Sequence, residues 1–224
     1  MLELKDFTVF SDLSPRDLSE LEKLIKQIRY GTGEIIYQEG APTFGFYLLF
    51  EGQVKEVKRS LGGKKQILKL LGPGELLGET TLFDKGVHIA YTKTLARSVV
   101  GFIERGDFYA FLQKHPPVIF RLFEKLSLEM KAFQFKLSER SYNGSKERLA
   151  RLILKLGESG IELSRTELAE MAGVSSKTAI RTLGELEERG VIAVDDRKLT
   201  VLDPESLEGL AEPFPIPLGV NLII

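Results

Sequence analysis

Ser164–Arg189 reads SRTELAEMAGVSSKTAIRTLGELEER, and this stretch decides how the rest of the chain is organised. Ser164, with Glu167 three residues on, forms a capping box, so a helix begins here. Leu168, Ala169 and Met171 give that helix an apolar side with a small residue at its crossing point. Gly173 permits a sharp turn, and Val174 is expected to be buried. Ser175 caps a second helix in which Thr178, Ile180, Leu183 and Leu186 alternate with polar positions, and Gly190 ends it. Val191-Ile192, then Asp195-Asp196-Arg197-Lys198 and Leu199-Thr200-Val201-Leu202, read as a two-stranded wing. The whole predicts a winged helix-turn-helix.

A helix held to its neighbour on one side and carrying hydrogen-bonding tips on the other is what entry into a major groove requires. Ser176, Lys177 and Arg181 fit the exposed stripe of the second helix. Lys177 and Arg181 are four apart, hence on one face, and either can donate to guanine O6 and N7. Ser164, Arg165, Thr166, Ser175 and Thr178 sit at the two helix starts, where hydroxyls, a guanidinium and backbone amides hold phosphates.

The whole-chain balance, 31 Lys+Arg against 32 Asp+Glu, lacks the basic excess of a histone-like binder, so any DNA contact must be local. Residues 141–224 carry 10 basic and 14 acidic side chains. Most of those acids follow Arg181, away from the helix starts, and weak, steeply salt-sensitive non-specific binding is expected. The absence of cysteine excludes thiol catalysis, disulfides, Cys-ligated zinc and iron–sulfur clusters together. Two histidines, His88 and His115, are far apart, which leaves no protein-built His-rich metal site, although one could serve as an axial haem ligand. Gly72-Pro73-Gly74-Glu75-Leu76-Leu77-Gly78 has the look of a nucleotide loop, but its last spacing is one too long and no helix follows. With no lysine-bearing P-loop and no triad-compatible histidine, catalysis is not expected. No stretch reaches the roughly 18 apolar residues of a membrane span, and the start MLELKDFTVFSDLS lacks an uninterrupted apolar segment, so a cytoplasmic location is expected.

Upstream, the apolar period changes twice. Ser14 as N-cap, Pro15 in the first turn, Asp17, then Leu18, Leu21, Leu24 and Ile25 mark a short helix. Segments Glu34–Tyr37, Phe46–Lys58, Lys65–Leu71, Tyr91–Ala96 and Val99–Glu104 are rich in strand formers and punctuated by Gly40, Gly52, Gly62-Gly63 and Gly72-Pro73-Gly74. Short strands with glycine corners predict an antiparallel barrel or roll. After Pro116-Pro117 a long helix runs from Val118 to about Ser141 with a seam of Ile119, Leu122, Leu126, Met130, Phe133 and Leu137. Phe120, Phe123 and Phe135 widen the apolar surface, so this helix is expected to be the contact of a symmetric homodimer. Tyr142-Asn143-Gly144 reads as a hinge, and Ser145 caps the next helix, Lys146–Leu156. The chain is thus α+β in three parts: a sensor-like β-roll at 1–115, a dimerisation helix at 116–141 and a winged helix-turn-helix domain at 142–224. The tail Pro213-Phe214-Pro215-Ile216-Pro217 is expected to lie extended on a surface.

Within the roll, Ile36-Tyr37-Gln38-Glu39-Gly40, Phe46-Tyr47-Leu48-Leu49-Phe50-Glu51-Gly52-Gln53-Val54, Gly72-Pro73-Gly74-Glu75 and Leu77-Gly78-Glu79-Thr80-Thr81-Leu82-Phe83 follow in order. With the long helix, hinge and winged helix-turn-helix behind it, the chain resembles the bacterial Crp/Fnr transcription regulators, typified by the cyclic-AMP receptor protein and the fumarate–nitrate reduction regulator. The resemblance covers nearly the whole chain. It implies a cyclic-nucleotide-binding-like jelly roll, a homodimer on a palindromic double-stranded DNA operator, and contact with RNA polymerase. It also places an effector pocket at Gly78, Glu79, Thr80, Ile89, Ala90, Phe133 and Gln134.

In relatives that bind cyclic AMP, an Arg-Ser pair neutralises the cyclic phosphate; here that pair falls on Ile89-Ala90. A buried anion needs a matching cation, so cyclic AMP is not the expected effector. His88 or Lys93 would substitute only if the loop were re-registered, and Phe133 and Gln134, near the adenine-contacting positions, would fill rather than hydrogen-bond. The cysteine-ligated iron–sulfur sensor of the oxygen-responsive branch is excluded. Haem through His88 stays open, as does a regulator that needs no effector. In the recognition helix the position of the family's usual glutamate is Lys177 and the preceding arginine is Ser176, while Arg181 is kept. Lysine donates and cannot accept from cytosine N4, so guanine or thymine edges are expected there. The expected function is sequence-specific transcription regulation, and the alternative is a ligand-sensing module that docks protein rather than DNA.

Overall fold

A computed structural model of the chain describes residues 2–84, 86–159 and 161–211. The Pro-rich segment Pro213–Pro217 lies outside the described residues. Packing forms two compact units: residues up to Ser60 together with Lys69–Glu129, and Leu61–Leu68 together with the residues from Met130 onward.

In the first unit Ser14 accepts the Asp17 N–H at 3.2 Å and starts α1 (Pro15–Glu22). Eight strands follow: β1 (Lys26–Tyr30), β2 (Ile35–Tyr37), β3 (Gly45–Glu51), β4 (Val54–Arg59), β5 (Lys65–Leu71), β6 (Leu76–Leu77), β7 (Tyr91–Thr94) and β8 (Ser98–Glu104). They form two four-stranded sheets, ordered β1-β8-β3-β6 and β2-β7-β4-β5, which is the expected roll. The apolar pattern misses β1, whose side chains are mostly exposed, and β6, which is only two residues long. The segment from Phe46 to Lys58 is two strands because the chain turns at Gly52 with φ +94°, where a Cβ would press on the Arg97 carbonyl.

Phe7, Phe10, Phe46, Phe108 and Phe111 are buried almost completely, and Phe7 meets Phe50 edge-on with ring centroids 5.1 Å apart. Phe108 and Phe111 come from α2 (Arg105–Lys114), which the sequence pattern also misses. Burying each such ring stabilises by about 1.5–3 kcal/mol, so this aromatic cluster anchors α2 to the roll.

The helix α3 (Pro116–Tyr142) continues the core by burying Val118 and Leu122, with Ile119 partly buried beside them. On another side Phe120, Phe123, Met130 and Leu137 are 60–73% exposed. The expected seam is therefore divided: Ile119 and Leu122 pack inward on the chain's own roll, and Met130, Phe133 and Leu137 stay exposed. Leu126 is half-buried, and the outward stripe turns toward Phe120 and Phe123 with Phe133 at its edge. The roll claims the side that carries Val118 and Leu122, and a helix cannot offer one side to two partners. Because α3 runs through Tyr142, the break before the next helix shrinks to Asn143-Gly144.

The second unit contains α4 (Ser145–Ser159), α5 (Arg165–Ala172), α6 (Ser176–Glu188), the antiparallel pair β9 (Ile192–Asp195) and β10 (Lys198–Val201), and α7 (Pro204–Leu210). Leu149, Ile153, Leu168, Leu183 and Leu207 are among its best-buried side chains, each at most 1% exposed. The wing turns at Asp196, φ +50°, a conformation that a short acidic side chain tolerates.

Candidate functional site

The helix-turn-helix is built by local chemistry. Ser164 Oγ accepts the Glu167 N–H at 3.3 Å while Glu167 Oε2 accepts the Ser164 N–H at 2.9 Å, the reciprocal box expected from the sequence. Gly173, φ +64°, ends α5 in the left-handed region, and a Cβ there would strike the Arg140 guanidinium. Arg148 donates to the Ala172 carbonyl at 3.2 Å and closes the C-terminal end of α5. Ser175 Oγ then accepts the Thr178 N–H at 3.1 Å and starts α6.

Ala179, Thr182, Leu183 and Leu186 form the buried side of α6. Ser175, Ser176, Lys177, Ile180 and Arg181 form its exposed side, with the Arg181 side chain 67% exposed. Two inner positions differ from expectation. Val174 is only half-buried, and Ile180 is 55% exposed because Ala179, one residue earlier, takes the inward direction. Of the candidate phosphate contacts, Thr166 and Ser175 are exposed and Ser164 and Thr178 are half-buried. Arg165 turns to Glu187, 2.7 Å away.

Several acids near the two helices are held in ion pairs. Glu185 pairs with Lys146 at 2.7 Å, Glu187 with Arg165 at 2.7 Å, Glu167 with Arg197 at 2.9 Å and Glu139 with Arg151 at 3.2 Å. The hydrogen bond from Lys146 holds the Glu185 carboxyl below its ordinary value. Lys177 has no ion pair among the described residues, and Arg181 has only a long contact of 3.7 Å to Glu185. The start of α6 therefore projects positive charge from a region whose total charge is negative.

The roll interior is arranged the other way. Gly78, φ +75°, leads into a single 3-10 turn, Glu79–Thr81, and Glu79 is 3% exposed. Lys69 Nζ of β5 lies 3.1 Å from Glu79 Oε1 and 2.7 Å from Glu129 Oε2 of α3, while Lys125 Nζ lies 2.6 Å from Glu129 Oε1. Burial disfavours the Lys69 ammonium, but Glu79 and Glu129 outweigh it and hold the pKa above its ordinary value. Burial raises the Glu79 carboxyl against the pull of Lys69. Burial also works on Glu129, where Lys69 and Lys125 prevail and keep it below the ordinary value. Glu56 of β4 is raised to about 7, chiefly by burial.

Sequence reasoning misses this cluster, although a signal existed. Lys69 shares strand parity with Ile67 and Leu71, both buried, so a lysine stands on the apolar side of β5.

The remaining pocket candidates differ in exposure. Thr80 and Ile89 are exposed and Ala90 is fully buried, while Phe133 and Gln134 are exposed residues of the second unit. His88 is buried and stacks on Tyr37 with centroids 3.8 Å apart, and burial lowers its pKa. A Cβ on Gly78 would come within 3.0 Å of the His88 ring, so the imidazole packs closely on the Gly78 backbone. Lys93 lies against Gly33, its Cε 3.6 Å from where a Cβ would stand. Among the described residues no three His, Cys, Asp or Glu side chains converge as metal ligands, and no helix is long and apolar enough to cross a membrane.

Comparison with known proteins agrees with both halves of this geometry. A cyclic nucleotide-binding domain family matches residues 27–115, and a Crp-like helix-turn-helix domain family matches residues 147–210. The cyclic AMP receptor protein of Thermus thermophilus is 29% identical over 212 residues, covering 93% of this chain and 98% of that protein. The crystal structure of the Thermus thermophilus catabolite activator protein aligns at a TM-score of 0.56 and 29% identity, over 91% of this chain and 98% of that one. FixK2 from Bradyrhizobium japonicum shares the fold at a TM-score of 0.73 and 19% identity, over 85% and 99%. The chain belongs to the Crp/Fnr family of transcription regulators, whose members are regulators and not enzymes.

Proposed function

We propose that this Crp/Fnr regulator acts as a homodimer that reads a palindromic double-stranded operator with α6. Lys177 and Arg181 donate to base edges, Ser176 hydrogen-bonds beside them, and Ile180 packs on a thymine methyl. The observation that carries this reading is the pair of outward cations at the start of α6, Lys177 without an ion pair among the described residues and Arg181 with only a 3.7 Å contact to Glu185, which Lys146 already holds. Thr166, Ser175 and Thr178, with the α5 start at Ser164 and Arg165, engage phosphates and set the register. The exposed stripe Phe120, Phe123, Met130 and Leu137 of α3 is the surface that pairs with a second copy, which fixes two α6 helices to successive grooves about 34 Å apart.

Residues 1–115 form the roll, 116–141 the dimer helix and 142–224 the DNA-binding part. Cyclic AMP is not the effector. Exposed Ile89 and buried Ala90 offer a phosphate no cation, and Glu79 already holds Lys69. The protein works in the cytoplasm and communicates with RNA polymerase.

Selection of duplexes from a random pool by the purified protein should return a palindrome. Lys177→Ala together with Arg181→Ala should abolish that preference, at about 1–3 kcal/mol for each lost bidentate contact, with the sedimentation coefficient unchanged. An absent motif, or an unchanged preference in the double variant, overturns the reading and favours a protein-docking module.

A further inference from the structure

We propose that Lys69 is a positioning residue for DNA binding: an internal cation that locks α3 onto the roll, so that the DNA-competent state needs no diffusible ligand. This rests on the DNA-binding reading above. Three separate elements meet at one ammonium: β5 supplies Lys69, the turn after Gly78 supplies Glu79, and α3 supplies Glu129. All three side chains are at most 5% exposed, and Lys125 completes the cluster from the next turn of α3.

A buried ion cluster of this kind adds little net stability compared with apolar packing, but it is intolerant of displacement, because separating the partners leaves charge uncompensated in the interior. Moving α3 by one residue shifts Glu129 about 1.5 Å along the axis and about 100° around it, which breaks its contact to Lys69 while Lys125, on the same helix, moves with it. The cluster thus admits one rotation and one height of α3 on the roll. That rotation decides which side of α3 is left outward, and the outward side is the stripe Phe120, Phe123, Met130 and Leu137.

The same place disfavours an external switch of anionic chemistry. A negatively charged ligand would meet Glu79 and Glu129, and the Lys69 ammonium that could attract it is already shared between those two carboxylates. The chain supplies the cation itself, on a strand, within hydrogen-bond distance of both partners.

The test compares full-length wild type, refolded and dialysed to strip small molecules, with the charge-neutral triple variant Lys69→Met, Glu79→Gln, Glu129→Gln, and with Glu129→Gln alone should the triple fail to fold. Affinity is read on the selected palindrome and on a scrambled duplex, alongside sedimentation and melting temperature. Stripped wild type should bind the palindrome without any addition. The variants should remain folded dimers, keep their affinity for the scrambled duplex and lose about 5- to 150-fold on the palindrome, the usual range of a coupling between sites. Lys69→Arg, which keeps the charge, should recover part of that loss. Unchanged palindrome affinity in a folded variant overturns the proposal, as does a stripped wild type that binds only after a cyclic nucleotide is added. Failure of wild type to select any duplex overturns the DNA-binding reading itself.

Discussion

Lys69 and Lys177 carry the same charge and use it in opposite directions. Lys69 sits in the roll with a 5% exposed side chain and gives its hydrogen bonds to Glu79 and Glu129. Lys177 stands at the start of α6, exposed, with no ion pair among the described residues. The chain as a whole is nearly neutral, with a formal charge of -1. What a cation does here is therefore set by whether the fold has given it an internal partner, and the number of cations says little. The inward cation specifies geometry, and the outward one is left for a ligand that brings its own negative charge.

The contrast breaks most sharply under a matched pair of substitutions. Lys69→Met leaves buried carboxylates without their partner and should cost about 3–5 kcal/mol, which lowers the melting temperature by roughly 6–20 °C for a chain of this size. Lys177→Met removes only solvated charge and should stay within about 0.5 kcal/mol of wild type. Calorimetry on the two variants reads this directly. Equal melting temperatures would mean that the inward cluster is no more demanding than a surface lysine.

A second way to sharpen the contrast is the pH profile of Glu56. Its carboxyl is raised from 4.5 to about 7 in the fold, chiefly by burial, so between those values the folded state holds more protons than the unfolded chain. Stability must then fall as pH rises from 4.5 to about 7 and level off above. The complete shift corresponds to about 3 kcal/mol, and the half-buried position of Glu56 reduces this by solvent screening. Glu56→Gln should flatten that part of the curve in urea unfolding measured across the same window, and it should be the more stable protein above neutral pH. A variant whose profile keeps the wild-type slope would remove Glu56 from the cluster.

Legibility in the sequence divides along the same line. The turn between α5 and α6 could be read because its determinants are neighbours in the chain: Ser164 with Glu167, Gly173, and Ser175 with Thr178. The roll could be read from strand-forming segments and glycine corners, but β1 and β6 lack an alternating pattern and went unseen. Along the α3 seam the spacing does not separate Ile119 and Leu122, which the roll takes, from Met130, Phe133 and Leu137, which stay exposed, because helical spacing alone does not say which side is given to the roll. The Lys69 cluster joins residues 10 and 60 positions apart, a separation over which no local rule operates.

Ile180 carries the smallest expected effect and the finest test of the outward surface. Helical spacing places it with Leu183, yet Ala179 takes the inward direction and leaves Ile180 55% exposed between Lys177 and Arg181. An exposed branched side chain flanked by two cations suits a thymine methyl, an apolar feature of the major groove. Ile180→Ala removes part of such a contact and should cost about 1 kcal/mol on the selected palindrome, little more than one buried methylene. Replacing the contacted thymine by uracil deletes the methyl from the other side and should cost the same. If the two groups touch, the losses should not add when the changes are combined, since each removes the same contact. Additive losses would place Ile180 away from the base and leave Lys177 and Arg181 as the readers of that half-site.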